Sequence, residues 1–194
     1  ANVNAVLAAL GAGVRMKVPH FLLPIGISFF SLQGVAYAVD VYRGVIPAET
    51  NFGRLALFMS FFPQLVEGPI CRYSDTAEQL WNVGPITWHN LSSGFLRILY
   101  GLTKKLIVAD RLNLMITAVF TNYGEYQGGV IAIAAVCYTI QLYMDFSGTM
   151  DAVMGTAEIF GVTMPENFQR PFFSKSISEF WKRWHITLGT WFKD

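Results

Sequence analysis

The stretch Tyr126-Gln-Gly-Gly-Val-Ile-Ala-Ile-Ala-Ala-Val-Cys-Tyr-Thr-Ile-Gln-Leu-Tyr-Met144 contains no Asp, Glu, Lys or Arg, and is bounded by Glu125 and Asp145. An uncharged run of this length reads as a membrane-crossing helix, because about 20 residues at about 1.5 Å each span a hydrocarbon core of about 30 Å. Val18 to Val39 is a second run without a charge, flanked by Arg15 and Lys17 on one side and by Asp40 and Arg43 on the other. Pro19 and Pro24 stand early in it, where a helix start or kink tolerates them. Two such runs set the fold class: an all-α, polytopic helical membrane protein.

The whole chain agrees. It is 53% apolar and only 14% charged, against about 25% charged in an ordinary soluble domain. Sixteen Phe, eight Tyr and five Trp suit interfacial aromatic belts. A net charge of +1 with no basic stripe on a polar helix gives no nucleic-acid footprint. Cys71 and Cys137 are far apart, without CxxC or His-rich neighbours, and read as apolar packing residues rather than zinc ligands. No Asp, Glu and His set stands at metal-ligand spacing. The chain opens at Ala1 without a charged n-region and stops at Asp194 within an apparent helix, so residues 1–194 read as one membrane-embedded domain, incomplete at both ends.

Between the clean runs the apolar pieces are shorter. Leu55 to Val66 holds Pro63 and runs into Glu67-Gly68-Pro69, the pattern of a re-entrant or broken segment. Leu91 to Phe120 carries Arg97, Lys104, Lys105, Asp110 and Arg111, and reads as an interfacial helix followed by a short membrane helix. Trp81 to Thr87, with Gly84 and Pro85, reads as a turn. Broken backbone inside a bilayer must be shielded by protein or line water, which implies helices gathered around a cavity.

At the far end, Ser176 and Glu179 fit the S-x-x-E capping box, so a helix starts near Ile177. At 100° per residue, Phe180, Trp181, Trp184, Leu188, Trp191 and Phe192 share a face opposite Glu179, Lys182, Arg183 and Lys193. This predicts one amphipathic interfacial helix with His185 at the edge of the aromatic face, beside Trp181 and Phe192. Two readings fit His185. A neutral imidazole takes and returns a hydroxyl proton near neutral pH, or an interfacial histidine hydrogen-bonds headgroups or backbone.

Asp145 at the end of an uncharged run is a functional candidate, with a structural ion pair to Arg170 or Arg183 as the alternative. Glu67 lines a cavity or sits at the water boundary. Asp151 and Glu158, seven apart, can share a helix face. His20 and His89 have no acidic or nucleophilic partner in local sequence.

The ordered motifs carry a resemblance. Phe180-Trp-Lys-Arg-Trp-His-Ile-Thr-Leu188 followed by Thr190-Trp-Phe-Lys-Asp194 resembles the F-W-x-x-W-H-x-S-L…W-x-[RK]-D signature of bacterial membrane-bound O-acyltransferases. Pro24 to Phe30, Asp40 to Gly44, Phe61 to Ile70, Gly101 to Arg111, Asp145 to Asp151 and Pro165 to Phe168 fit the same family in the same order. The alginate O-acetyltransferase type is the nearer subgroup; the teichoic acid D-alanyl transferases match less well around Phe61 to Ile70.

The resemblance implies a helical membrane protein with a central tunnel, in the bacterial inner membrane and multi-pass. An acyl group, acetyl by the nearer subgroup, passes from a thioester donor on the cytoplasmic side (acetyl-coenzyme A or an acyl carrier) to a hydroxyl of an exopolysaccharide or cell-wall glycan. It implies contact with membrane lipid, an extracytoplasmic acyl-transfer partner protein, and no bound cofactor or metal. His185 answers to one of two family histidines; the other is expected in an apolar stretch beyond Asp194. Asp145, Glu67, Gln64, Trp181 and Trp184 become candidates for lining the tunnel or orienting the reactants. A non-enzymatic transporter is the remaining alternative, and the internal repeat it calls for is not found.

Overall fold

The computed structural model describes residues 26–65 and 67–194. Nine α-helices lie among them: α1 (Ile27–Tyr42), α2 (Phe52–Ser60), α3 (Phe62–Leu65), α4 (Tyr73–Trp81), α5 (Trp88–Leu102), α6 (Asp110–Thr121), α7 (Gly128–Ile159), α8 (Ile177–Arg183) and α9 (Ile186–Lys193). A π-helical stretch, Thr103–Ala109, joins α5 to α6. The described residues form no β-strand, only an isolated antiparallel bridge between Phe168 and Trp184.

Of the run predicted over Val18 to Val39, residues 18–25, with His20, lie outside the described part. From Gly26 onward it is helical and continues to Tyr42. Gly26 has φ 79, and a Cβ there would stand 2.1 Å from the Leu65 carbonyl oxygen, so glycine alone fits this start. The end is a Schellman motif: Gly44 (φ 70) donates to the Val41 carbonyl and Val45 to that of Asp40.

The broken segment is present as expected. The Asn51 side chain caps α2 by accepting from the N–H groups of Gly53 and Arg54. The chain leaves the helix at Phe61 and resumes as the single turn α3 around Pro63. The side chain of fully buried Gln64 donates to the Phe58 carbonyl at 2.5 Å, covering a backbone acceptor near the break.

The long helices differ from expectation. Trp88 to Thr121 is one continuous helical run, not an interfacial helix followed by a membrane helix. Its widened π-helical turn lets two adjacent residues face the same neighbour: Lys104 reaches Asp151 and Lys105 reaches Asp145. The second clean run begins at Gly128 rather than Tyr126. It does not stop at Asp145, which sits mid-helix in a 32-residue α7.

α5 and α7 pack antiparallel at very short range. Gly94 meets Gly155 and Gly101 meets Gly148; a Cβ on Gly101 would lie 2.4 Å from the Gly148 carbonyl oxygen. Small residues at a crossing let backbones approach within van der Waals and Cα–H···O distance. The charges of α5 and of the π-helical stretch are absorbed along the same seam. Arg97 Nε lies 3.2 Å from Asp151, Lys104 Nζ lies 2.6 Å from Asp151, and Ser93 donates to Glu158 at 2.6 Å. Asp151 and Glu158 thus share the face of α7 that meets α5.

α7 is long and apolar enough to cross a membrane by length and composition, the one such helix among the described residues, and only 6% of its most apolar window is buried. Its charged half instead joins α2 and α4 in a core that contains Phe58, Leu80, Met150, Met154 and Val162. Cys71 belongs to this core as expected of a packing residue, and burial pushes its thiol up to about 12.

Candidate active site

The segment after α7 holds the site together. Asn167 is completely buried, and its neighbours pair in strand fashion with the end of α8. Gln169 N–H donates to the Arg183 carbonyl, Phe168 bridges Trp184, and Ile186 N–H donates to the Asn167 carbonyl, the two hydrogen bonds each being 3.0 Å. This pairing pulls Trp184 and His185 out of helical geometry. The predicted single helix is therefore two, α8 and α9, with His185 between them in the left-handed region at φ 49, ψ 54. A non-glycine residue there costs about 1–3 kcal/mol and is held only by its surroundings.

The capping box at the start of α8 forms as expected on its serine side: Ser176 Oγ accepts from Glu179 N–H at 3.1 Å. The Glu179 carboxylate turns to the Lys175 N–H instead of that of Ser176, and holds Arg183 at 2.6 Å. These contacts keep its carboxyl below the usual range, the Lys175 N–H having the largest effect.

The side chain of Asn167 organises the imidazole. Its Oδ1 lies 3.3 Å from His185 Nδ1, 3.1 Å from Thr187 N and 2.7 Å from Thr187 Oγ1. Thr187 N–H is an obligatory donor, so the atom facing it is the amide oxygen, and that oxygen is only an acceptor. His185 therefore carries its proton on Nδ1 when neutral. Nε2 is left with a lone pair, the form a general base needs. Thr187 Oγ1 donates to Asn167 and accepts from Ile70 N–H at 3.1 Å, tying in the turn that follows Glu67. Asn167 Nδ2 donates to Met150 Sδ at 3.1 Å, anchoring the network to α7.

Phe146 stands edge-to-face with the His185 ring at 4.9 Å. Phe168 touches both Phe146 and Trp184, and Trp184 stacks on Phe180 at 5.5 Å and meets Tyr143 at 5.9 Å. His185 is half-buried in this aromatic shell, and burial holds its pKa below the ordinary 6.5. At neutral pH it is an uncharged base.

The other candidates fall differently. Trp184 belongs to the shell. Trp181 is 61% exposed and Phe192 74%, and the ring packed on His185 is that of Phe146 rather than either of these. Asp145 pairs with Lys105, not with Arg170 or Arg183, and is not hydrogen-bonded to the imidazole. Gln64 spends its amide nitrogen on Phe58, while its Oε1 has no partner among the described residues. Glu67 is exposed; it is Ile70, three residues on, that joins the site. Gly68 forces that turn, since a Cβ would lie 2.3 Å from Gln64 Cα. His89 sits at the start of α5.

Three contributors escaped the sequence reading: Asn167, Thr187 and Phe146. Each stands inside a stretch that carried the resemblance, yet none has a titratable side chain to draw notice. A cavity of about 40 Å³ is lined by Lys104, Ser147, Asp151, Glu166 and Phe168 among others, with room for about two or three waters. Ser147 Oγ is buried there with no partner among the described residues, a group such water would satisfy. Among the described residues no three His, Cys, Asp or Glu side chains gather as metal ligands.

Comparison with known proteins follows the same lines. Residues 46–194 match the membrane-bound O-acyltransferase (MBOAT) family model. Over its whole length the chain is 39% identical to the probable alginate O-acetylase AlgI of Pseudomonas syringae pv. tomato, covering 37% of that protein. It is 33% identical to the peptidoglycan O-acetyltransferase of Helicobacter pylori, over 90% of this chain and 38% of that protein. It is 30% identical to the teichoic acid D-alanyltransferase of Bacillus subtilis, over 91% of this chain and 45% of that protein. The chain thus spans less than half the length of the curated relatives it matches. With three quarters of its residues inside the family model and a histidine built into its W-H motif, this chain belongs to the membrane-bound O-acyltransferase family.

Proposed function

We propose that this chain forms the His185-bearing part of a multi-pass bacterial inner-membrane O-acetyltransferase acting on an exopolysaccharide or cell-wall glycan. The observation that carries the reading is the Asn167 Oδ1 contact to His185 Nδ1, which leaves Nε2 free to accept a proton. The acceptor hydroxyl oxygen attacks the thioester carbonyl carbon while its proton moves to Nε2. The tetrahedral intermediate collapses, the C–S bond breaks, and the imidazolium returns the proton to the departing thiolate. Base catalysis of this kind is worth about 10²–10⁴-fold.

The donor is an acyl thioester, acetyl-coenzyme A or an acyl carrier, reaching the site from the cytoplasm, with no bound cofactor of the protein's own. The broken α2–α3 segment, buried Gln64 and the aromatic shell around Trp184 support a tunnel through which donor and acceptor meet. An extracytoplasmic partner then passes the group to the glycan. Acetyl rather than D-alanyl transfer is favoured by the higher identity to alginate and peptidoglycan O-acetylases than to the D-alanyltransferase.

The test is transfer of radiolabelled acetyl from acetyl-coenzyme A in membranes carrying the full-length protein. His185→Ala should lose at least a hundredfold in rate with membrane insertion intact. Near-normal transfer by that variant removes His185 from the chemistry, and labelling by a D-alanyl thioester alone replaces the acetyl reading.

A further inference from the structure

Arg97 forks between two elements. Its Nε lies 3.2 Å from Asp151 Oδ1 on α7, and its Nη2 lies 2.5 Å from Glu166 Oε1 in the segment after α7. Lys104 Nζ holds the other oxygen of Asp151 at 2.6 Å, leaving Oδ1 to the guanidinium. A planar guanidinium fixes direction as well as distance, which a lysine in its place would not do. One side chain thus sets how residue 166 sits against α7.

Glu166 is followed directly by Asn167, whose Cα is only about 3.8 Å further along the chain. Asn167 has its own tie to α7, from Nδ2 to Met150 Sδ, but a thioether is a weak acceptor. The contacts of its Oδ1 run to His185 and Thr187 and do not fix it against α7. The charge-assisted contact between Glu166 and Arg97 is the stronger tie. Packing does little for Glu166 itself. Its side chain is 44% exposed, and beside it opens the cavity that it shares with Lys104, Ser147 and Asp151.

We propose that Arg97 and Glu166 are positioning residues for His185, their ion pair holding Asn167 where its Oδ1 meets Nδ1. The proton then stays on Nδ1 and the lone pair on Nε2. The margin is small. The Oδ1–Nδ1 contact is already 3.3 Å long, so about 0.3 Å of displacement takes it out of hydrogen-bond range. The consequence for rate rests on His185 being the base of acetyl transfer, whereas the consequence for the tautomer does not. Glu158 offers the contrast: it accepts from Ser93 across the same pair of helices and adjoins no residue of the site.

The test uses the full-length protein in lipid vesicles, labelled with nitrogen-15 at histidine, the His185 signals being those missing from His185→Gln. At about pH 8 the wild type should show one neutral tautomer, protonated at Nδ1. Glu166→Ala and Arg97→Gln should each turn it into a mixture of the two. Each should also lower kcat for acetyl transfer by about ten- to a hundredfold with KM for acetyl-coenzyme A unchanged, as a misplaced group does. Glu166→Gln, which keeps the shape and an acceptor, should fall between these and wild type. Glu158→Ala should match wild type in both tautomer and rate. A single Nδ1–H tautomer kept by the Glu166 and Arg97 variants overturns the proposal. So does a mixture in wild type, or an equal change in Glu158→Ala. A tautomer lost with transfer undiminished keeps the positioning role and sinks the reading of His185 as the base.

Discussion

Asn167 Oδ1 sits 3.3 Å from His185 Nδ1 across 18 residues of chain, and the same oxygen takes both the N–H and the hydroxyl of Thr187. One buried amide therefore fixes the tautomer of the imidazole and holds the left-handed junction between α8 and α9.

Replacing Asn167 with Ala orphans the Thr187 N–H and frees the imidazole. Each buried donor left unpaired costs about 1–3 kcal/mol, so thermal unfolding in detergent should move down by several degrees. Acetyl transfer should fall further than stability does, and equal losses in the two would reduce Asn167 to a packing role.

Burial depresses the His185 pKa, which sets the sign of two pH effects. The base stays neutral below pH 6.5, so the acid limb of the transfer rate should titrate below that value. Over the same window the unfolded chain binds the extra proton, so stability is full above about pH 6.5 and declines as pH falls toward the folded pKa. Asn167→Asp puts a carboxylate beside Nδ1 and should shift the acid limb upward. A limb unmoved by that change would show that another group titrates.

Thr187→Val keeps the shape of the side chain and removes both hydroxyl contacts, leaving the Ile70 N–H without its acceptor. A loss of about 1–3 kcal/mol is expected. In a double-mutant cycle with Asn167→Ala the losses should be strongly non-additive, because the two residues share one network. Additive losses would place them in separate networks.

The α5–α7 seam is closed to any side chain at its glycines. Gly101→Ala sets a methyl 2.4 Å from the Gly148 oxygen, and the helices must part. Overpacking of this kind costs about 1–3 kcal/mol. Gly84→Ala, with nothing within 4 Å of the new Cβ, is the matched control and should be neutral. Equal thermal stability of the two variants would contradict the packing described.

The sequence by itself determined the all-helical class, the break around Phe61 and Pro63, the turn after Trp81 and the capped start of α8. These follow from local physics: uncharged runs, proline, turn residues and a serine–glutamate pair act within a few positions of themselves. It misjudged where helices continue. Asp145 ends an apolar run, but a helix does not stop at a charge when a lysine on the neighbouring helix neutralises it. Leu91 to Phe120 stays one run because Arg97, Lys104 and Lys105 meet acids on α7.

Only the tertiary structure decided the break at His185, the partner of Asp145 and the network of Asn167, Thr187 and Ile70. Helical periodicity placed Trp181 beside His185, but pairing of residues 167–169 with 183–186 overrides it. Residues up to 117 positions apart meet there through buried hydrogen bonds, which have no period for a sequence to display.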